Sequence, residues 1–131
     1  MQSIRSVAAT AIVALALAAP AYAVTADNFP PKTTRDLLAL CSASANDPLA
    51  AAAINFCHGF AQGAVAVQIE NDAAERISQH LFCLPSPRPA FQQAVQMFNA
   101  WAAAHPANLD GPPADGFFQF LRDTYPCPTG R

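Results

Sequence analysis

The stretch from Pro48 to Asp72 constrains this chain more than any other. Read as a helix, its Leu49, Ala53, Phe56, Phe60, Gly63 and Val67 recur at alternating steps of four and three, so they share one stripe. Ile54, Ala61, Val65 and Ile69 fall on the opposite side. Between the stripes, Ala52, Gly59, Gly63 and Ala66 make a flank with almost no side chains. A surface helix carries one apolar face, whereas this one is apolar or small nearly all round, which predicts burial at the centre of a bundle. Other helices, from this chain or a second copy, must then wrap it.

The chain opens with the features of a removable export signal. Arg5 supplies a positive start, Val7 to Ala19 is an uncharged apolar run, and Ala21-Tyr22-Ala23 is a small-x-small cleavage site. The run is too short and wrongly flanked for a membrane anchor, and no later stretch of about 18 uncharged apolar residues is expected. Cleavage after Ala23 divides the chain into a leader, 1–23, and a single domain, 24–131. About 108 residues remain, enough for one modest core. Without Arg5 the net charge is about −3 and no basic patch is left, which argues against nucleic acid as a partner. So few charges on so small a domain imply that a partner covers part of its surface.

Downstream of an extended leader around Phe29-Pro30-Pro31, Thr33-x-x-Asp36 resembles a capping box and predicts a short helix over Arg35 to Ala43. Asp47 and Pro48 are an N-cap and first-turn proline for the central helix, which fades near Asn71 and Asp72. A third helix, with Phe91, Val95, Phe98 and Ala102 in a stripe, ends at His105-Pro106 because a residue before proline resists helical geometry. The last runs from Ala114 to about Thr124, with Phe117, Phe120 and Leu121 inward. No alternating strand pattern appears. The expected fold is all-α, a small disulfide-stapled bundle of about four helices around a buried central helix.

Four cysteines in an exported chain of this size read as two disulfides. Short loops make neighbouring helices antiparallel, which puts Cys41 and Cys57 near one end of the bundle and Cys83 and Cys127 near the other. Of three pairings, Cys41–Cys57 with Cys83–Cys127 fits best.

Catalytic candidates are weak. Cys57 and His58 are adjacent on a helix and point about 100° apart, too far for a base to activate a nucleophile. His58, His80 and His105 have no ligand-spaced partners for zinc. Asp72 and Glu75 read as a solvated helix end. Gly59-x-x-x-Gly63 permits close helix approach, with Phe56 and Phe60 beside it, either as packing within the chain or as a homodimer seam. The residues predict no enzyme, metal or cofactor.

Taken together, Leu37-Leu38-Ala39-Leu40-Cys41, Cys57-His58-Gly59-Phe60-Ala61-Gln62-Gly63, Phe82-Cys83-Leu84-Pro85 and Tyr125-Pro126-Cys127 resemble the Rap/Tai immunity proteins, small periplasmic proteins associated with type VI secretion. The resemblance spans about Thr33 to Pro128. It implies an α-helical, disulfide-bonded protein, often a dimer, that binds and blocks a peptidoglycan amidase effector. It carries over no toxin-contacting residue. By exposure and charge, the polar loops Ser42 to Asn46 and Asp72 to His80, with Asp72, Glu75 and Arg76, are the candidate partner-binding segments, and Ala107 to Asp115 is a third. The alternative is a periplasmic acid-stress-type chaperone that exposes apolar surface at low pH.

Overall fold

In the computed structural model, residues 23–76 and 80–129 are described. The leader predicted over 1–23 lies outside them except for Ala23. Four α-helices follow one another: α1 (Thr34–Cys41), α2 (Ala50–Glu75), α3 (Phe91–Ala104) and α4 (Pro113–Thr124). A short 3-10 turn at Ala26–Asn28 precedes α1, inside a segment expected to be wholly extended, and another at Pro106–Asn108 lies between α3 and α4. Among the described residues there is no strand.

Local chemistry sets the boundaries. Thr33 Oγ1 accepts from the Asp36 N–H at 3.1 Å, and the Asp36 carboxylate accepts from the Thr33 N–H at 3.0 Å, so aspartate closes the capping box where a longer acid is usual. Burial pushes the Asp36 carboxyl up, but the Lys32 and Thr33 N–H groups and the Asn28 and Thr33 side chains together outweigh it, leaving the pKa below its ordinary value. At α2, Asp47 Oδ1 accepts from the Leu49 N–H at 2.8 Å, and the regular helix starts two residues beyond Pro48. It runs past Asp72 to Glu75 and stops at Arg76, whose left-handed backbone (φ 52°) returns its N–H to Asp72 and Ala73 carbonyls.

The disulfides join Cys41 to Cys57 and Cys83 to Cys127, the pairing expected from an up-down order. The chain-entropy model gives about 3 kcal/mol for the shorter loop and about 4 for the longer. The main core gathers Leu37, Leu38, Phe98, Trp101, Phe117 and Phe120, with rings from α3 and α4 packed edge-on and tilted. A smaller cluster joins Val24, Leu40 and Ala53.

One expectation fails. The central helix is not sheathed: along its length only Ala53, Cys57, Val65 and Asp72 are buried, while Val67 is 60% and Ile69 42% exposed. The helix at the centre is α1, buried at Thr34, Leu37, Leu38, Ala39, Leu40 and Cys41. Two physical reasons account for the reversal. Much of the apolar character of α2 is alanine and glycine, which have little surface to hide. The line that meets the core, Ala53-Cys57-Ala61-Val65, also advances by fours and so winds about 40° round the helix at each step, whereas the predicted stripe keeps to one side and leaves the core after Phe60. By length and composition α2 would even be apolar enough to cross a membrane, contrary to the expected lack of any such later stretch, yet it is tied to α1 through Cys57.

Where α1 crosses α4, Gly116 lies against Thr34, which is fully buried and donates from Oγ1 to the Pro112 carbonyl at 2.9 Å. A Cβ on Gly116 would run into Thr34 Oγ1 and Cγ2. Gly116→Ala should therefore destabilise by about 1–3 kcal/mol in urea unfolding, because neither helix backbone can step aside. Asp36→Asn tests the capping box. Since the folded pKa lies below the unfolded one, the carboxylate's contribution is present above 3.8 and lost as pH falls through the folded value. The stability gap between wild type and Asp36→Asn should be present at neutral pH and shrink under acid.

Candidate binding surface

Three surface regions are open to a partner. The outer side of α2 carries Gly59, Gln62, Gly63, Ala66, Val67 and Ile69, all exposed. A Cβ placed on Gly59 or Gly63 meets no atom within 4 Å, so neither glycine serves helix packing inside the chain. Phe56 and Phe60, singled out beside them, turn the other way. Phe56 meets Phe29 edge-on at 5.9 Å, and Phe60 meets Phe117 at 5.7 Å. The seam predicted from these four residues is thus split: two aromatics that hold the chain together, two glycines that face outward.

The second region is the C-terminal end of α2. Asp72 does not point to solvent. Its side chain is 8% exposed; Oδ1 accepts from Gln68 Nε2 at 2.7 Å and Oδ2 is 3.0 Å from His80 Nδ1, so it fastens the returning chain to the helix. Glu75 and Arg76 are exposed, and of the three charged residues only they present themselves to a partner.

The third is a groove of about 590 Å³ between the turn after α1 and the facing sides of α2 and α3. Ser42, Asn55, Gln92, Gln96 and Asn99 edge it over an alanine floor, and the Ser42 hydroxyl donates to Asn99 Oδ1 at 2.6 Å. The turn Ser42 to Asn46 borders this groove. The loop before α4, by contrast, is pinned to α1: Leu109 and Gly111 carbonyls accept from the Arg35 and Thr34 N–H groups at 2.8 Å, and Asp110 pairs with Arg35.

Among the described residues, the side chains weighed as catalytic candidates are engaged otherwise. Cys57 is oxidised, and His58 lies against the Phe91 ring at 4.7 Å. Among the described residues, no three His, Cys, Asp or Glu side chains gather as a metal site requires. Trp101 is buried and donates from Nε1 to Asp123 Oδ2 at 2.9 Å. A small apolar cavity of about 210 Å³ lies between α2, α3 and α4, with His58 and Arg88 at its rim.

A stapled helical scaffold with outward-facing surfaces is what a binding protein needs, and comparison with known proteins identifies which kind. The sequence model of the Rap1a immunity proteins matches residues 33–127. The chain belongs to that family. Neither the curated proteins nor the solved structures yielded a match. The span matched for Rap1a immunity proteins runs from the Thr33 cap to Cys127 of the second disulfide, so it takes in all four helices and both staples. Family membership makes this an immunity-type protein, generally non-enzymatic, with a cognate secreted effector to bind.

The open space around Gly59 and Gly63 has a measurable consequence. Replacing either by alanine should raise the stability of the isolated chain by about 0.5–1 kcal/mol in urea unfolding, because the helix gains propensity and no neighbour is displaced. A loss of stability would show that these glycines are needed inside the fold.

Proposed function

We propose that this protein is a periplasmic, non-enzymatic immunity protein, residues 24–131 forming its single domain, that binds and occludes a peptidoglycan amidase delivered by type VI secretion. The family match over 33–127 carries this reading. The export signal ending at Ala23 and two disulfides suit an oxidising compartment such as the periplasm. Inhibition by such a scaffold is steric: a rigid segment enters the substrate cleft, and the disulfides limit the entropy lost when it does. The segments offered for this role are the turn Ser42 to Asn46 and the α2 end bearing Glu75 and Arg76. The charges of Glu75 and Arg76 would meet complementary groups at the cleft rim, and Asp72 would act behind them by holding the helix end in place.

The outer side of α2 is assigned to a second copy of the chain. Glycines one turn apart let two such helices approach closely, and Val67 and Ile69 supply apolar area beside them. The same alanine variants that stabilise the isolated chain then weaken self-association in sedimentation equilibrium, because each added methyl holds the helices apart.

The decisive experiment mixes the oxidised protein with the amidase encoded beside it and follows peptide release from peptidoglycan. Stoichiometric inhibition is expected, weakened about tenfold by Glu75→Ala with Arg76→Ala, as loss of rim charges predicts. Amidase activity untouched by molar excess would refute the reading. Suppressed aggregation of client proteins at pH 3, with loss of the compact state, would favour the chaperone instead.

A further inference from the structure

The first residue after the predicted cleavage site is built into the fold. Val24 is 7% exposed and packs with Leu40 and Ala53, among Phe29, Leu49 and Phe56. Its backbone nitrogen lies 2.9 Å from Asp47 Oδ2. The other oxygen of that carboxylate receives the Leu49 N–H at the start of α2. Ala23, one residue earlier, is exposed. Beyond Val24 the chain is fastened again, with the Thr25 N–H donating to Asn28 Oδ1 at 2.9 Å and Asn28 Nδ2 donating to Asp36.

We propose that removal of the leader after Ala23 creates an ion pair between the new α-ammonium of Val24 and Asp47, which locks the N-terminus onto the α1–α2 turn. The inference rests on the leader being cut at that bond. A signal-peptidase-type endopeptidase adds water across the Ala23–Val24 peptide: the hydroxyl goes to the Ala23 carbonyl, leaving a carboxylate on the released leader. The nitrogen of Val24 keeps the chain, takes the water's other hydrogen and the proton that the leader's carboxyl group releases, and is an ammonium at neutral pH. A neutral amide donor facing a carboxylate is thereby replaced by a cationic one, which adds the attraction of opposite charges to a bond that the carboxylate already strengthens. Asp47 is half-buried, so water screens the pair less than it would a surface contact.

The geometry also selects this bond over its neighbours. Cutting one residue later would remove the Val24 side chain from the small cluster. Cutting one residue earlier would leave the charge on exposed Ala23, off the carboxylate. Before processing, the chain lacks this pair, and in a reducing cytosol it lacks both disulfides, so the precursor is kept easier to unfold for export. After processing, the turn from Ser42 to Asn46, which borders the groove between α2 and α3, is held by a carboxylate anchored on both sides.

Intact mass of the exported protein tests the cut, and a start at Val24 is expected. Urea unfolding at low ionic strength then compares oxidised chains 24–131 and 23–131, each with Asp47 and with Asp47→Asn. Asparagine keeps an oxygen for the Leu49 N–H, so the helix start is preserved. The unfolding constant of 24–131 should be about fivefold lower than that of 23–131 with Asp47 present, and Asp47→Asn should erase the difference. Nα-acetylated 24–131, which has no added residue, should behave as the longer chain does. An exported chain starting elsewhere overturns the proposal through the leader, whatever the unfolding shows. A length effect that is absent, or that persists in Asp47→Asn, overturns it through the pair and leaves both the cleavage and the immunity reading standing.

Discussion

The contact between Gly116 and Thr34 decides how closely α1 lies on α4, and the remaining architecture is arranged around that crossing. Thr34 spends its hydroxyl on the Pro112 carbonyl, so the first turn of α4 is hydrogen-bonded as well as packed against the first turn of α1. With that end fixed, Leu37, Leu38 and Cys41 reach inward, and the disulfide to Cys57 brings α2 across the other end of the same short helix. Eight residues of α1 thus organise three longer helices. Such economy depends on side-chain size: three leucines in two turns bury far more area per residue than the alanines of α2.

With α1 taking the centre, α2 is left half outside. Its first half packs on α1 and on the aromatic relay Phe29-Phe56-Phe60-Phe117. Its second half is held by fewer links: Val65 in the core, and Asp72 joining Gln68 to His80. An apolar helix face that the chain itself does not cover is a feature of proteins that work by association. It is in keeping with membership of an immunity family, in which the fold's task is to present surface rather than to carry out a reaction.

The N-terminal segment gives a second instance of the same logic. A cap on α1, a 3-10 turn and a buried valine carry the chain from Asp36 back to Asp47, so that the segment from Val24 to Asn28, the α1–α2 turn and the start of α2 share one hydrogen-bonded corner. Polar side chains at this corner do double duty, each oxygen of Asp47 serving a different segment, which is how a small domain holds a long irregular stretch without strands.

Sequence alone determined the helices, the staples and the family resemblance, because these depend on local or one-dimensional information. The cap at Thr33, the stop at His105-Pro106 and the order of cysteines along an up-down chain each act over a few residues or follow from connectivity, whereas Asp47 holds the Leu49 N–H just ahead of α2 instead of capping it. Which helix becomes the core was decided only in three dimensions. Apolar periodicity records that a face avoids water but not what covers it: the core follows a line advancing by fours from Ala53 to Val65, round the helix rather than along one side, and this leaves Gly63 and Val67 outward. The inward turn of Asp72, the demand for glycine at 116 and the meeting of Val24 with Asp47 join residues far apart in the chain. No local pattern encodes such approaches; they exist only once the helices have packed.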